Sequence, residues 1–358
     1  MVQLFPIRRG GPSQRFWRDL FSRVFRLFGW FRTGLLLPFS DAAIMLTLYL
    51  LQTCVPLALI TWLDFLPPRS VAGFWMQALA IALGLVAIAL TGIWTFPPWW
   101  GPYAFSALFV AAIIDGLVRR RCKSIWPIGF RAWLSFAAFT ILAGYAANES
   151  RVAAAARAIP KGRSVNLASP LGPGTYLVVN GGTDVSVNAH ADALDLTVAA
   201  HRPYYGTGYG VDLVAIDRFG LRADAIMPPE PRRYRIFGSP VVAPCDGKVI
   251  AAVDGLSDMP VPKTDEARLA GNHIILRCSG LDILLGHFRE GSVHVAIGQS
   301  LKTGDAIAAV GNSGSSSEPH LHIHAQLPGT VIAPYSGAPI PIRINGRYLV
   351  RNDRFVGR

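Results

Sequence analysis

Residues 317–325 read Ser317-Glu318-Pro319-His320-Leu321-His322-Ile323-His324-Ala325, so three of the chain's eight histidines fall at alternate positions within five residues. In a β-strand, positions i, i+2 and i+4 share one face. His320, His322 and His324 are therefore expected on one side of a strand, with Leu321 and Ile323 packing on the other. A polar edge strand would satisfy that pattern. Three aligned imidazoles also suit a metal site or a histidine-based active site.

The surrounding chain divides in two. Of its 358 residues, 51% are apolar and 16% charged, well below the ~25% charge of an ordinary soluble protein. Residues 1–159 hold 15 Lys and Arg against 5 Asp and Glu, whereas residues 160–358 hold 19 against 17. The basicity thus belongs to the apolar half and calls for no nucleic-acid partner. All the histidines follow residue 189.

In the first half, residues 1–38 form a basic segment. Phe16, Trp17, Leu20, Phe21, Val24, Phe25 and Phe28 recur there among arginines, as in an amphipathic helix lying on a bilayer and not in a cleavable signal peptide. Residues 39–148 contain apolar stretches near 42–63, 71–95, 103–118 and 127–147, giving three to four spans. The third is short and carries Asp115, and Trp99 and Trp100 suit a membrane interface or a re-entrant turn. With four full spans, the basic N-terminus and the run Arg119–Lys123 fall on opposite sides. With three, both are cytoplasmic and the second half is exported. No paired intramembrane charges mark a transporter pathway.

Residues 149–164 read as a linker, 165–335 as a β domain and 336–358 as a C-terminal extension. Short Val/Ile/Leu runs alternate with turn signals, as in "DGKVIAAVDG", "NHIILRCSG", "DILLGHF" and "AIAAVGNSG", so the fold class is an N-terminal transmembrane helical bundle plus an all-β antiparallel domain. The pattern also matches biotinyl and lipoyl carrier barrels, but Lys248 and Lys302 lack a carrier-lysine setting. Cys245 and Cys278 lie on two predicted strands, where export would permit a disulfide.

The runs "APCDGKVI", "GNHIIL", "LLGHF" and "GNSGSSSEPHLHIH" resemble the lysostaphin/LytM-type zinc metallopeptidases, over roughly residues 180–330. That resemblance implies a β-sheet endopeptidase of bacterial peptidoglycan with one Zn²⁺ per chain. It implies His322 and Asp212 as metal ligands, and His287 and His320 as catalytic histidines. The family places its first ligand about four residues before the Asp, where this chain has Gly208. His190, in a "GG…N-x-H" stretch read as a strand, is the favoured replacement, and His201 stays open. Asn188 is a candidate to orient His190, while Asn312 and Ser313 are candidates to touch substrate. His324 is expected behind the site or exposed, and His273 and His294 structural or on the surface. The implied setting is a multi-pass bacterial inner membrane, with the lipid bilayer and peptidoglycan or peptide as partners. The alternative is a silent LytM-like domain that binds wall or activates another hydrolase. The sequence leaves the oligomeric state and the scissile bond open.

Overall fold

The computed structural model describes residues 41–119 and 122–357, excluding the side chains at 41–46 and 48. The expected amphipathic segment 1–38 lies outside the described residues. Four helices come first: α1 (Asp41–Phe65), α2 (Val71–Thr91), α3 (Gly101–Val118) and α4 (Phe130–Ala155). Three of them, α2, α3 and α4, are long and apolar enough to cross a membrane, with mean hydropathies of 2.1, 1.7 and 1.3. The third apolar stretch, expected to be too short, is one of these. Asp115 falls in its last turn, where Arg119, four residues later, pairs with its carboxylate at 2.7 Å. In α1 the part from Tyr49 to Phe65 is a shorter apolar helix. Leu79, Val110, Ile114 and Ile141 face outward, as lipid-facing side chains do.

The β domain is built on a sheet of nine strands. They are β2 (Gly174–Asn180), β3 (Val211–Ala215), β5 (Gly247–Val253), β6 (Asn272–Cys278), β7 (Leu281–Phe288), β8 (Ser300–Leu301), β10 (Leu321–Gln326), β11 (Pro339–Ile340) and β13 (Arg354–Gly357). The spatial order is β13-β2-β3-β10-β7-β6-β5-β8, with β11 pairing β10, and every pairing is antiparallel. Two small pairs flank it: β4 (Pro240–Val242) with β9 (Ala306–Ala309), and the parallel pair β1 (Val165–Leu167) with β12 (Ile342–Ile344). Leu321 and Ile323 are fully buried in the core beside Leu213, Leu285 and Phe288, so the apolar face of the histidine strand anchors it at the centre of the sheet. Cys245 and Cys278 are disulfide-bonded, while Cys54 and Cys122 are free.

Residues 336–358, expected as an extension, supply β11, β12 and β13 to the sheets. Their backbone groups need partners once buried, and strand edges provide them. Helix α4 continues to Ala155, into the expected linker. From Met45 onward the chain forms one unit by its contacts. Asn352 donates to Gly92 O at 2.9 Å, Arg157 pairs with Asp353 at 2.7 Å, and Trp100 Nε1 donates to Phe219 O. Trp99, expected at a lipid interface, instead lies under the Arg354 guanidinium at 3.5 Å.

Candidate metal centre

Strand β10 lies between β3 and β7, with His322 directly opposite Asp212 on one side and Gly286 on the other. That register places an imidazole against a carboxylate by backbone pairing alone. His322 Nδ1 is 2.8 Å from Asp212 Oδ1, and His190 Nε2 is 2.9 Å from Asp212 Oδ2. Donor atoms of His190, Asp212 and His322 all lie within 4.8 Å of one another, the sole such group found among the described residues. Two imidazoles and one carboxylate that converge on a small volume suit Zn²⁺, with a coordination position left open.

His190 sits on the 3-10 segment Ala189–Leu194, not on a strand as expected. Asn188 caps that segment. Its Oδ1 accepts from His190 N, and its Nδ2 donates to Gly182 O and Gly210 O. His201 lies on the neighbouring 3-10 segment Ala199–Tyr209, outside the cluster. A physical reason accounts for the glycine where the family has a ligand. A Cβ at Gly208 would sit 2.3 Å from the Leu194 side chain, so Leu194 already fills that place. Gly210 is constrained likewise, because a Cβ there would come within 2.7 Å of His322 and 3.0 Å of His190.

Two further histidines border the cluster. His320 immediately precedes β10, and its Nε2 is 3.6 Å from Asp212 Oδ1. Its Nδ1–H donates to Glu318 O at 2.8 Å. On β7, His287 donates from Nδ1–H to Ser313 O at 2.9 Å. Either ring, when neutral, therefore keeps its free lone pair on Nε2. The two rings are 4.6 Å apart. His287 adopts φ 62°, a left-handed backbone uncommon outside glycine, as at other sites that store local strain.

His324 is 1% exposed and lies behind the cluster, its Nδ1 2.8 Å from His322 Nε2. A metal on His322 Nδ1 would leave the ring's proton on Nε2, donated to His324, the arrangement by which outer partners fix a ligand's tautomer. Asn312 and Ser313, expected to touch substrate, are fully buried and structural. Ser313 Oγ donates to Phe288 O, and Asn312 Nδ2 donates to Met259 O. His294 is exposed, whereas His273 is buried against Gly271 O and Tyr335 Oη.

Sequence reasoning missed Asn180, whose Nδ2 donates to Asp212 Oδ2 at 2.8 Å. It also missed Arg351, which donates to Asn180 Oδ1 and to Thr91 O at the end of α2, joining that helix to the site. Neither carries a motif, and both act through pairings that only the fold creates. Tyr204 and Tyr335 stack at 6.4 Å and, with Thr207, wall a cavity of about 170 Å³ that opens onto His190, His287 and His322.

Electrostatics follow from burial and company. Burial alone would raise the Asp212 carboxyl, but His190 and His320 nearby and hydrogen bonds from His190 and His322 hold it well below its ordinary range. Burial disfavours charge on His190 too, yet the Asp212 carboxylate outweighs it and raises that pKa. His287 and His324 are pushed well below the ordinary value by burial and by neighbouring histidines. His322 is lowered, chiefly by burial. His273 is lowered by burial alone, against the pull of its Gly271 hydrogen bond. The unfolded chain therefore takes a proton at His273 more readily than the folded one does. This costs stability as pH falls through about 6.5. His273→Gln, compared with the parent across pH 8 to 5, should gain relative thermal stability on the acid side. A constant difference between the two proteins would show that His273 carries no such linkage.

Residues 235–334 match the family model for peptidase family M23. The chain carries a domain of peptidase family M23. The matched stretch of the M23 domain holds His287, His320 and His322, while His190 and Asp212 precede it. The catalytic domain of the antimicrobial peptidase lysostaphin from Staphylococcus simulans is similar at 23% identity over 35% of this chain and 71% of that one, with a TM-score of 0.23. A longer lysostaphin structure is matched over 40% of its length. A zinc-containing peptidase from Vibrio cholerae is similar at 19% identity over 37% of this chain and 48% of that one, with a TM-score of 0.21. No match was found among the curated proteins.

Proposed function

We propose that the chain is a membrane-anchored zinc metalloendopeptidase that hydrolyses peptide bonds of bacterial peptidoglycan, with its M23 domain on the outer side of the inner membrane. The observation that carries this reading is the convergence of His190, Asp212 and His322 beside two imidazoles whose Nδ1–H groups are tied to carbonyls. His190, Asp212 and His322 would hold the ion. A Zn²⁺ bound there supplies Lewis acidity, the property that polarises carbonyls and acidifies water in hydrolytic zinc sites.

The chain's own groups supply the proton chemistry. His320 or His287 accepts a proton at Nε2 from the attacking water, and the imidazolium so formed can donate to a developing oxyanion or to the leaving amine. The carbonyls of Glu318 and Ser313 hold the two rings in the tautomer this needs. His324 and Asn180 keep His322 and Asp212 aimed inward. The cavity walled by Tyr204 and Tyr335 is where a peptide would lie.

Metal stoichiometry tests the ligand set. The purified full-length protein should retain one Zn²⁺ per chain and cleave a peptidoglycan-derived peptide. His190→Ala should lose the metal, and His201→Ala should keep it. Metal loss in the His201 variant with retention in the His190 variant would reverse the assignment. Full zinc loading with no cleavage of wall peptides would favour the silent wall-binding alternative.

A further inference from the structure

A second built cavity lies among the helices, away from the metal centre. It measures about 530 Å³ and is lined by Arg69, Lys123 and Arg131 together with Ser70, Ser124 and Ser135. Among the described residues, no acidic side chain lines it, and Arg69, Lys123 and Arg131 have no carboxylate partner. Gln77 also lines it, is fully buried, and has no hydrogen-bond partner at either Oε1 or Nε2. A buried amide left unpaired is costly, so one facing a cavity marks a place for a polar ligand. Trp62, Leu66, Phe136 and Phe139 make the remaining wall apolar. The first turn of α4 borders the cavity at Arg131, and its cap residue Gly129 offers no side-chain acceptor, so a helix N-terminus favouring anions points to the same space.

Its depth in the membrane follows from the helices. At the C-terminal end of α2, Thr91 and Gly92 accept hydrogen bonds from Arg351 and Asn352 of the β domain, whereas the cavity lies around Ser70 and Gly73 at the other end. The 21 residues of α2 span roughly 31 Å, about one hydrocarbon core. The cavity therefore opens at the membrane face remote from the β domain. Short connections at that face carry Arg69, Arg119 and Lys123, while residues 92–100 at the other face carry no charge. Among the connections between the described helices, such a bias marks the cytoplasmic side, where membranes present anionic lipid.

We propose that this cavity binds the phosphate-bearing headgroup of an anionic glycerophospholipid from that leaflet. The cations and Gln77 Nε2 contact the phosphate, the serines contact the headgroup hydroxyls, and an acyl chain runs along Trp62 and Phe136. The inference stands apart from the peptidase reading, since the site shares no residue with the metal centre.

Native mass spectrometry of the detergent-solubilised full chain, titrated with phosphatidylglycerol or phosphatidylcholine, tests it. Phosphatidylglycerol should form a one-to-one adduct at least tenfold more readily than phosphatidylcholine. The Arg69→Gln/Lys123→Gln/Arg131→Gln variant should lose that preference. Gln77→Glu, which sets a carboxylate against the phosphate, should lose it while all three cations stay in place, and Arg131→Lys should keep most of it. Equal retention of the two lipids, or an undiminished preference in both the triple and the Gln77→Glu variants, would overturn the proposal. So would displacement of the lipid by millimolar inorganic phosphate, which would identify a free-anion site.

Discussion

His320→Ala is expected to leave Zn²⁺ bound and to lower kcat/KM by about 10²–10⁴-fold, the range for loss of a positioned acid–base group. Asp212→Asn should instead remove both metal and activity. The difference follows from where each side chain ends. Asp212 is 3% exposed and central, within 2.9 Å of both His190 and His322, so losing its charge leaves two imidazoles with no anion between them. His320 touches that centre only at 3.6 Å, and its other nitrogen is committed to Glu318 O. The cluster can persist without it, but the nearest Nε2 lone pair is gone. His287→Ala should behave as His320→Ala does, and the double variant should lose less than the product of the two, because residues that act as a unit are not additive. Zinc analysis beside peptide-cleavage kinetics checks all four proteins. Metal loss in His320→Ala equal to that in Asp212→Asn would mean that His320 is a ligand and would redraw the division between binding and proton transfer.

Local chemistry made some of this legible before the fold was known. The alternation His320-Leu321-His322-Ile323-His324 carries its own geometry, because a period of two fixes which residues face together, and Leu321 and Ile323 do fill the core. Cys245 and Cys278 could be named as a candidate disulfide, which they form across a separation of 33 residues, but only Cys278 lies on a strand, and Cys245 sits in the turn between β4 and β5. Residues that act through tertiary contacts left no such trace. Arg351 lies near the chain's end and reaches Asn180 only because β13 returns to pair with β2. Asn180 looks like any strand-end polar residue until its register beside Asp212 is known. The third apolar stretch was misjudged on its length, because the helix begins at Gly101 and its 18 residues reach a mean hydropathy of 1.7 with Asp115 included.

Arg222→Ala should destabilise the protein by about 3–5 kcal/mol, the cost of leaving one member of a buried ion pair unpartnered. Arg222 and Glu318 meet at 2.7 Å with side chains 3% and 9% exposed. The guanidinium also donates to Tyr49 Oη on α1 and to Ile226 O, so it joins α1 to the loop that leads into β10. Glu318 has a second duty, since its backbone carbonyl holds His320 Nδ1–H. Loss of Arg222 should therefore lower catalysis as well as thermal stability, through the position of that carbonyl. Glu318→Gln should be milder than Arg222→Ala, because the amide oxygen still accepts from Arg222 and the main chain still reaches His320. The double variant Arg222→Met/Glu318→Leu removes both charges and should recover much of the lost stability, as replacement of buried pairs by packed apolar groups often does. Thermal unfolding and peptide-cleavage rates of the four proteins in one detergent separate the two effects. If the double variant regains stability but not turnover, the pair is there to place the turn before His320. If it regains both, the pair serves the fold alone, and packing in the turn from Gly311 to Pro319 suffices to set the His320 imidazole.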